Sequence, residues 1–177
     1  MMKPSIRTLF WILAGICLLA GQAQAHGPTP QKSDAAITMK APLKKVWQAI
    51  KEPTAICRWH PSIDRCDYDA DKQERVFYLQ SGERFSEAIL EVNEANHTVY
   101  LRQGEANVKA LPVSSYSTRI QVEDNGDGTV TVRWRGRYYR GDTGNFPPQH
   151  LNDEAAVKAM NAWIEKGLKG LKNAVES

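Results

Sequence analysis

Apolar positions along this chain recur with two different periods, and the change of period divides it into parts. Leu43, Val46, Trp47 and Ile50 step by three and four residues, the spacing of one helix face, and Pro53 closes that helix. A second helical turn, Thr54 to Trp59, stops before Pro61. From Ile63 to Tyr139 the period falls to two. Segments 64–69, 75–80, 84–92, 98–103, 115–123 and 129–139 are rich in β-branched and aromatic residues, and Gly or Asn/Asp clusters separate most of them. This pattern predicts a six-stranded antiparallel meander, with one further strand ahead of the first helix, where Ala35 to Lys40 alternates weakly. At the end, Val157, Met160, Ile164, Leu168, Leu171 and Val175 form a continuous apolar stripe. The stripe predicts a helix from about Asp153 to Val175, capped by Asn152, with Ala156, Ala159, Trp163 and Gly167 widening its buried face.

The clearest hairpin runs from 115 to 139 and turns at Asn125-Gly126-Asp127-Gly128, residues that tolerate positive φ. The acidic residues of this turn lack EF-hand spacing, so turn geometry is sufficient to explain them. Alternation sets Tyr116, Thr118, Ile120 and Val122 on one face with Val130, Val132, Trp134, Gly136 and Tyr138. The opposite face carries Ser115, Ser117, Arg119 and Gln121 together with Arg133, Arg135, Arg137 and Tyr139. The apolar set must face the terminal helix.

Strand, two small helices, six strands and a long last helix is the element order of an α+β helix-grip fold. In that architecture a curved antiparallel sheet wraps around the C-terminal helix. The inferred domain spans 34–176, behind a leader at 26–33.

Ahead of it, Lys3 and Arg7 precede an apolar run from Leu9 to Gly21 and the small-residue triplet Ala23-Gln24-Ala25. This is the layout of a secretory signal peptide cleaved after Ala25, since the run is short of the ~20 residues needed to cross a bilayer. A soluble periplasmic protein is the expectation, with no membrane attachment after cleavage. Loss of residues 1–25 lowers the formal charge from +3 to +1, which leaves no basic patch of the kind nucleic-acid binding needs. Only Cys57 and Cys66 then remain, and in an oxidising compartment they are expected to form a disulfide; two unpaired buried thiols are the alternative. No metal-ligand cluster, phosphate-binding glycine loop or Ser-His-Asp order is present, so no cofactor is expected.

Three stretches carry a family resemblance. Trp59-His60-Pro61 resembles an element of the START-like, Bet v 1-like superfamily, which also contains polyketide cyclases. Leu111-Pro112-Val113-Ser114-Ser115-Tyr116-Ser117 and the block from Tyr139 to Pro148, followed by Leu151 to Val157, resemble one subgroup, the MxaD-like proteins of bacterial methanol oxidation. That resemblance implies a non-enzymatic periplasmic accessory protein acting with methanol dehydrogenase and its cytochrome c acceptor, and it transfers no catalytic residues.

Two other functions compete with this one. A carrier would hold a small hydrophobic ligand between sheet and helix, lined by His60, Tyr116, Trp134, Tyr138 and Met160. A cyclase or hydrolase would act in the same space through His60, tuned by nearby Asp64; alternatively His60 only hydrogen-bonds loop backbone. For the accessory function, Arg133, Arg135 and Arg137 form a basic ladder that either steers a partner or is simply a solvated strand face. The crossover from Arg140 to Leu151 is long and carries Phe146 at its centre, where it contacts a partner or closes a cavity mouth; alternatively the segment is only a rigid structural crossover.

Overall fold

The computed structural model describes residues 27–177; the expected signal peptide, 1–25, and residue 26 lie outside the described residues. The elements in order are β1 Gln31–Met39, α1 Leu43–Lys51, α2 Ile56–Trp59, β2 Ile63–Asp69, β3 Glu74–Leu79, β4 Arg84–Asn93, β5 Thr98–Gln103, β6 Val113–Asp124 and β7 Val130–Arg140. A 3-10 turn at Gln149–Leu151 then leads into α3, Asp153–Glu176. All seven strands form one antiparallel sheet in the order β1-β7-β6-β5-β4-β3-β2, so the meander is continuous and β1 closes it by pairing with the last strand. The fold is the helix grip expected from the element order.

Strand β1 begins at Gln31 rather than at Ala35, because the polar stretch Gln31 to Asp34 pairs in register with Tyr138 to Arg135. Alternation could not reveal this: only Ser33 of that stretch is buried. The β6–β7 turn has Gly126 at φ +75° and Gly128 at φ +83°. The Asp124 and Asp127 carboxylates accept from the backbone N–H groups of Gly126 and Thr129, at 2.9 and 3.0 Å.

Helix α3 starts as expected. Asn152 Oδ1 accepts from the Ala155 N–H at 2.9 Å, and Asp153 and Glu154 place negative charge in the first turn. Its stripe is the core: Met160, Ile164, Leu168, Leu171 and Val175 are buried with Ala156, Trp163 and Gly167, packed chiefly on β1 and β7, whereas Val157 is only partly buried. A disulfide joins Cys57 of α2 to Cys66 of β2, with Cα atoms 6.0 Å apart, and so ties the Trp59-His60-Pro61 segment to the sheet edge.

Candidate functional site

The concave face of the sheet, beneath α3, carries more polarity than a simple core. Arg75 on β3 stands opposite Glu87 on β4, and Glu87 stands opposite Gln103 on β5. All three are buried, and Tyr116 and Tyr138, themselves paired across β6 and β7, continue the row. Arg75 donates through Nε and Nη2 to Glu87 Oε2, at 3.0 and 2.6 Å, and through Nη1 to the Pro53 carbonyl at 3.0 Å. The ion pair is therefore closed within itself.

Its neighbours are not satisfied in the same way. Neither atom of the Gln103 amide has a hydrogen-bond partner among the described residues, and the same holds for the Tyr116 hydroxyl, Thr118 Oγ1 and Trp134 Nε1. Tyr116 lies against Glu87 without reaching hydrogen-bond geometry; burial, together with that carboxylate, pushes its phenol well above the ordinary value. Tyr138 differs, since its hydroxyl meets Ser33 Oγ at 2.8 Å and Ser33 donates on to Asn161 of α3 at 2.6 Å. Met160 packs over Gly136, where a Cβ would lie 3.6 Å from its terminal methyl. Tyr116, Trp134 and Tyr138 thus share the concave face beneath α3, which contributes Met160; all four are packed in the core, and none lines the opening described below. Arg75, Glu87 and Gln103 were missed by the sequence reading, although their signal was present: they occupy the inward positions of their strands, in register with Phe77, Phe85 and Leu101.

His60 is fully buried in the same core, stacked on Trp163 with ring centroids 3.9 Å apart. Its Nδ1 accepts from the Ser62 N–H at 3.2 Å, which leaves the proton on Nε2, donated to the Trp163 carbonyl at 3.1 Å. Both ring nitrogens are occupied by backbone. The proposed partner Asp64 is exposed and reaches Gln80 instead, at 3.5 Å, because β2 is irregular between Ile63 and Arg65 and turns that side chain outward. Room for the imidazole comes from Gly167, where a Cβ would sit 2.8 Å from His60 Cδ2 and 2.7 Å from Trp134 Cζ3.

Desolvation lowers the His60 pKa to about 4. Above pH 6.5 the ring is neutral whether folded or unfolded; between 6.5 and 4 the unfolded chain takes up a proton that the folded one refuses. Stability is therefore expected to fall by about 3 kcal/mol as pH drops across that window, and then to level off. Denaturant midpoints of His60→Gln should lose this component of the acid slope; an unchanged slope would place His60's protonation elsewhere.

Between α3 and the β2–β3 and β5–β6 ends of the sheet, an opening of about 410 Å³ is lined by Pro61, Leu79, Leu111, Ala159 and Trp163, with Lys166 at its rim. The crossover after β7 is held rigidly. Arg140 donates to the carbonyls of Asp142 and Gly144, both at 2.8 Å, and to Asp153 at 2.9 Å, while the Asp142 carboxylate accepts from the Gly144 N–H at 2.7 Å. On this frame Phe146 is 95% exposed, so it does not plug a cavity mouth. The arginine ladder lies on the outer face as alternation required, but Asp34 of β1 engages Arg133 and Arg135 at 3.1 and 3.2 Å.

This architecture is that of a known family. Residues 30–176 match the model for polyketide cyclase / dehydrase and lipid transport proteins, and the chain belongs to that family. Similar solved structures include an uncharacterised protein from Bacillus thuringiensis, at TM-score 0.70 and 21% identity, covering 83% of this chain and all of that one. The XoxI protein from Bacillus cereus gives TM-score 0.69 at 21% identity, over 81% and 94% of the two chains. The ZhuI aromatase/cyclase from Streptomyces sp. R1128 gives 0.64 at 14% identity, over 84% and 94%. At these identities the likeness concerns the fold. No curated protein matches the sequence.

Proposed function

We propose that this protein is a non-enzymatic binder of a small, largely apolar molecule with a neutral polar end, held between the concave face of the sheet and α3. The observation that carries this reading is the group of buried polar side chains, Gln103, Tyr116, Thr118 and Trp134, that lack partners where they face the helix. An unmade hydrogen bond costs roughly 1–3 kcal/mol per buried group, so a ligand, or water in its stead, gains by supplying it. A neutral end fits because Arg75 and Glu87 already compensate each other. A catalytic role is less well supported, since both nitrogens of His60 are engaged by backbone.

The test compares 2-naphthol with naphthalene by tryptophan quenching. The parent is expected to bind 2-naphthol at least tenfold more tightly, and Tyr116→Phe together with Gln103→Leu should erase that preference. The same substitutions should leave the apo protein as stable or more so, because they remove polar groups that have no partner. Absence of binding by either compound, or a preference that survives both substitutions, sinks the reading.

A second reading is favoured by Phe146. A rigid loop that displays an aromatic side chain to solvent is suited to anchoring a protein partner. On the MxaD-like resemblance, that partner would be methanol dehydrogenase or its cytochrome c, met in the periplasm after export. Phe146→Ala should leave the melting temperature within a degree or so while reducing any effect of the protein on electron transfer between those two.

A further inference from the structure

The outer face of the sheet carries a groove of about 360 Å³ that takes in part of the arginine ladder and extends beyond it, bordered by Lys32, Asp34, Leu90, Tyr100, Arg119 and Arg137. Strand register fixes its charge pattern. Arg102 on β5 stands opposite Ser117, Ser117 opposite Arg137, and Arg137 opposite Lys32 of β1. In the next row Tyr100 stands opposite Arg119, and Arg119 opposite Arg135.

Two like-charged pairs therefore face each other directly across neighbouring strands, Arg137 with Lys32 and Arg119 with Arg135. Such pairs destabilise a sheet. Asp34 relieves only Arg133 and Arg135. Arg102, Arg137 and Lys32 make no ion pair among the described residues, and Arg119 reaches only the Gln121 amide, at 3.0 Å, with its Nε buried and unpartnered. One face thus concentrates cations that the ion pairs of the described residues do not neutralise, a basic stripe that the near-neutral net charge did not reveal.

We propose that this groove is a docking site for an acidic segment of a partner protein. The cations span four adjacent strands, about 14 Å at the ordinary strand spacing, too wide for one phosphate or carboxylate and suited to several carboxylates along a peptide. Leu90, 53% exposed, and the Tyr100 ring, with the Arg119 guanidinium 5.4 Å from its centroid, add an apolar floor that a polypeptide side chain can cover. A formal charge of only +1 outside the first 25 residues supplies little of the general field that draws in nucleic acid.

The experiment titrates the folded protein with an oligoglutamate peptide containing one leucine, followed by fluorescence anisotropy, with inorganic phosphate and single-stranded DNA as competitors. Binding should weaken about tenfold between low and physiological salt. The double variant Arg119→Gln/Arg137→Gln should lose at least tenfold in affinity while melting at or above the parent temperature, because it removes like-charge contacts. Asp34→Asn should bind several-fold more tightly, since it frees Arg133 and Arg135. Naphthol binding should be unaffected throughout, which separates this site from the interior one. No peptide binding, an affinity unchanged in the double variant, or displacement by phosphate or DNA at concentrations matching the peptide each overturns the proposal.

Discussion

Glu87→Ala is expected to lower the stability of the fold by about 3–5 kcal/mol, the largest loss of any single side chain considered. The substitution leaves the Arg75 guanidinium buried, with one backbone carbonyl as its remaining acceptor. The loss belongs to the stranded charge rather than to the value of the pair, so the double replacement Arg75→Met/Glu87→Leu should recover most of it. Urea denaturation of the parent, the single variants and the double variant measures this directly. A Glu87→Ala midpoint equal to the parent's would mean that water reaches Arg75, and that the concave face is wetter than its burial implies.

Gly170→Ala should also destabilise, against the usual rule. In a helix interior, alanine normally gains about 1 kcal/mol over glycine. Here the added Cβ would collide with the main-chain carbonyl of Trp59 and lie 3.0 Å from the Pro61 ring. Backbone on the far side cannot yield as a flexible side chain would, so α3 must shift away from α2. A net loss of about 1–3 kcal/mol is expected. Asn173→Ala, exposed on the same helix, should instead gain a few tenths of a kcal/mol. If both variants gain alike, the approach of α3 to Trp59 is looser than the geometry indicates.

Gly170 also shows where sequence reading reaches its limit. Periodicity identified the terminal helix, its cap and its buried stripe, because one face of α3 meets a single continuous surface. Alternation placed Tyr116, Trp134, Tyr138 and the arginine ladder on their correct faces for the same reason. Pattern cannot register contacts made across elements distant in the chain. Gly167 reads only as part of the buried face, and Gly170 as a gap beside it, until His60 and Trp59 arrive from elsewhere. Asp34 sits 99 residues from the Arg133 it neutralises, which made the ladder look barer than it is. Asp64 is close to His60 in sequence but points away, owing to one irregular step in β2. Arg75 and Glu87 were legible in principle, as charges standing in the apolar register of two strands, and the eye passes over them because each strand reads well without them.

Strand β1 gives the chain a particular order of assembly. Its partner is the last strand, and Ser33 meets Tyr138 across 105 residues of sequence. The sheet cannot close, nor α3 find its seat on β1 and β7, until nearly all of the polypeptide has emerged. So non-local a closure places folding among the slower topologies, and a nascent chain waits with its first strand unpaired.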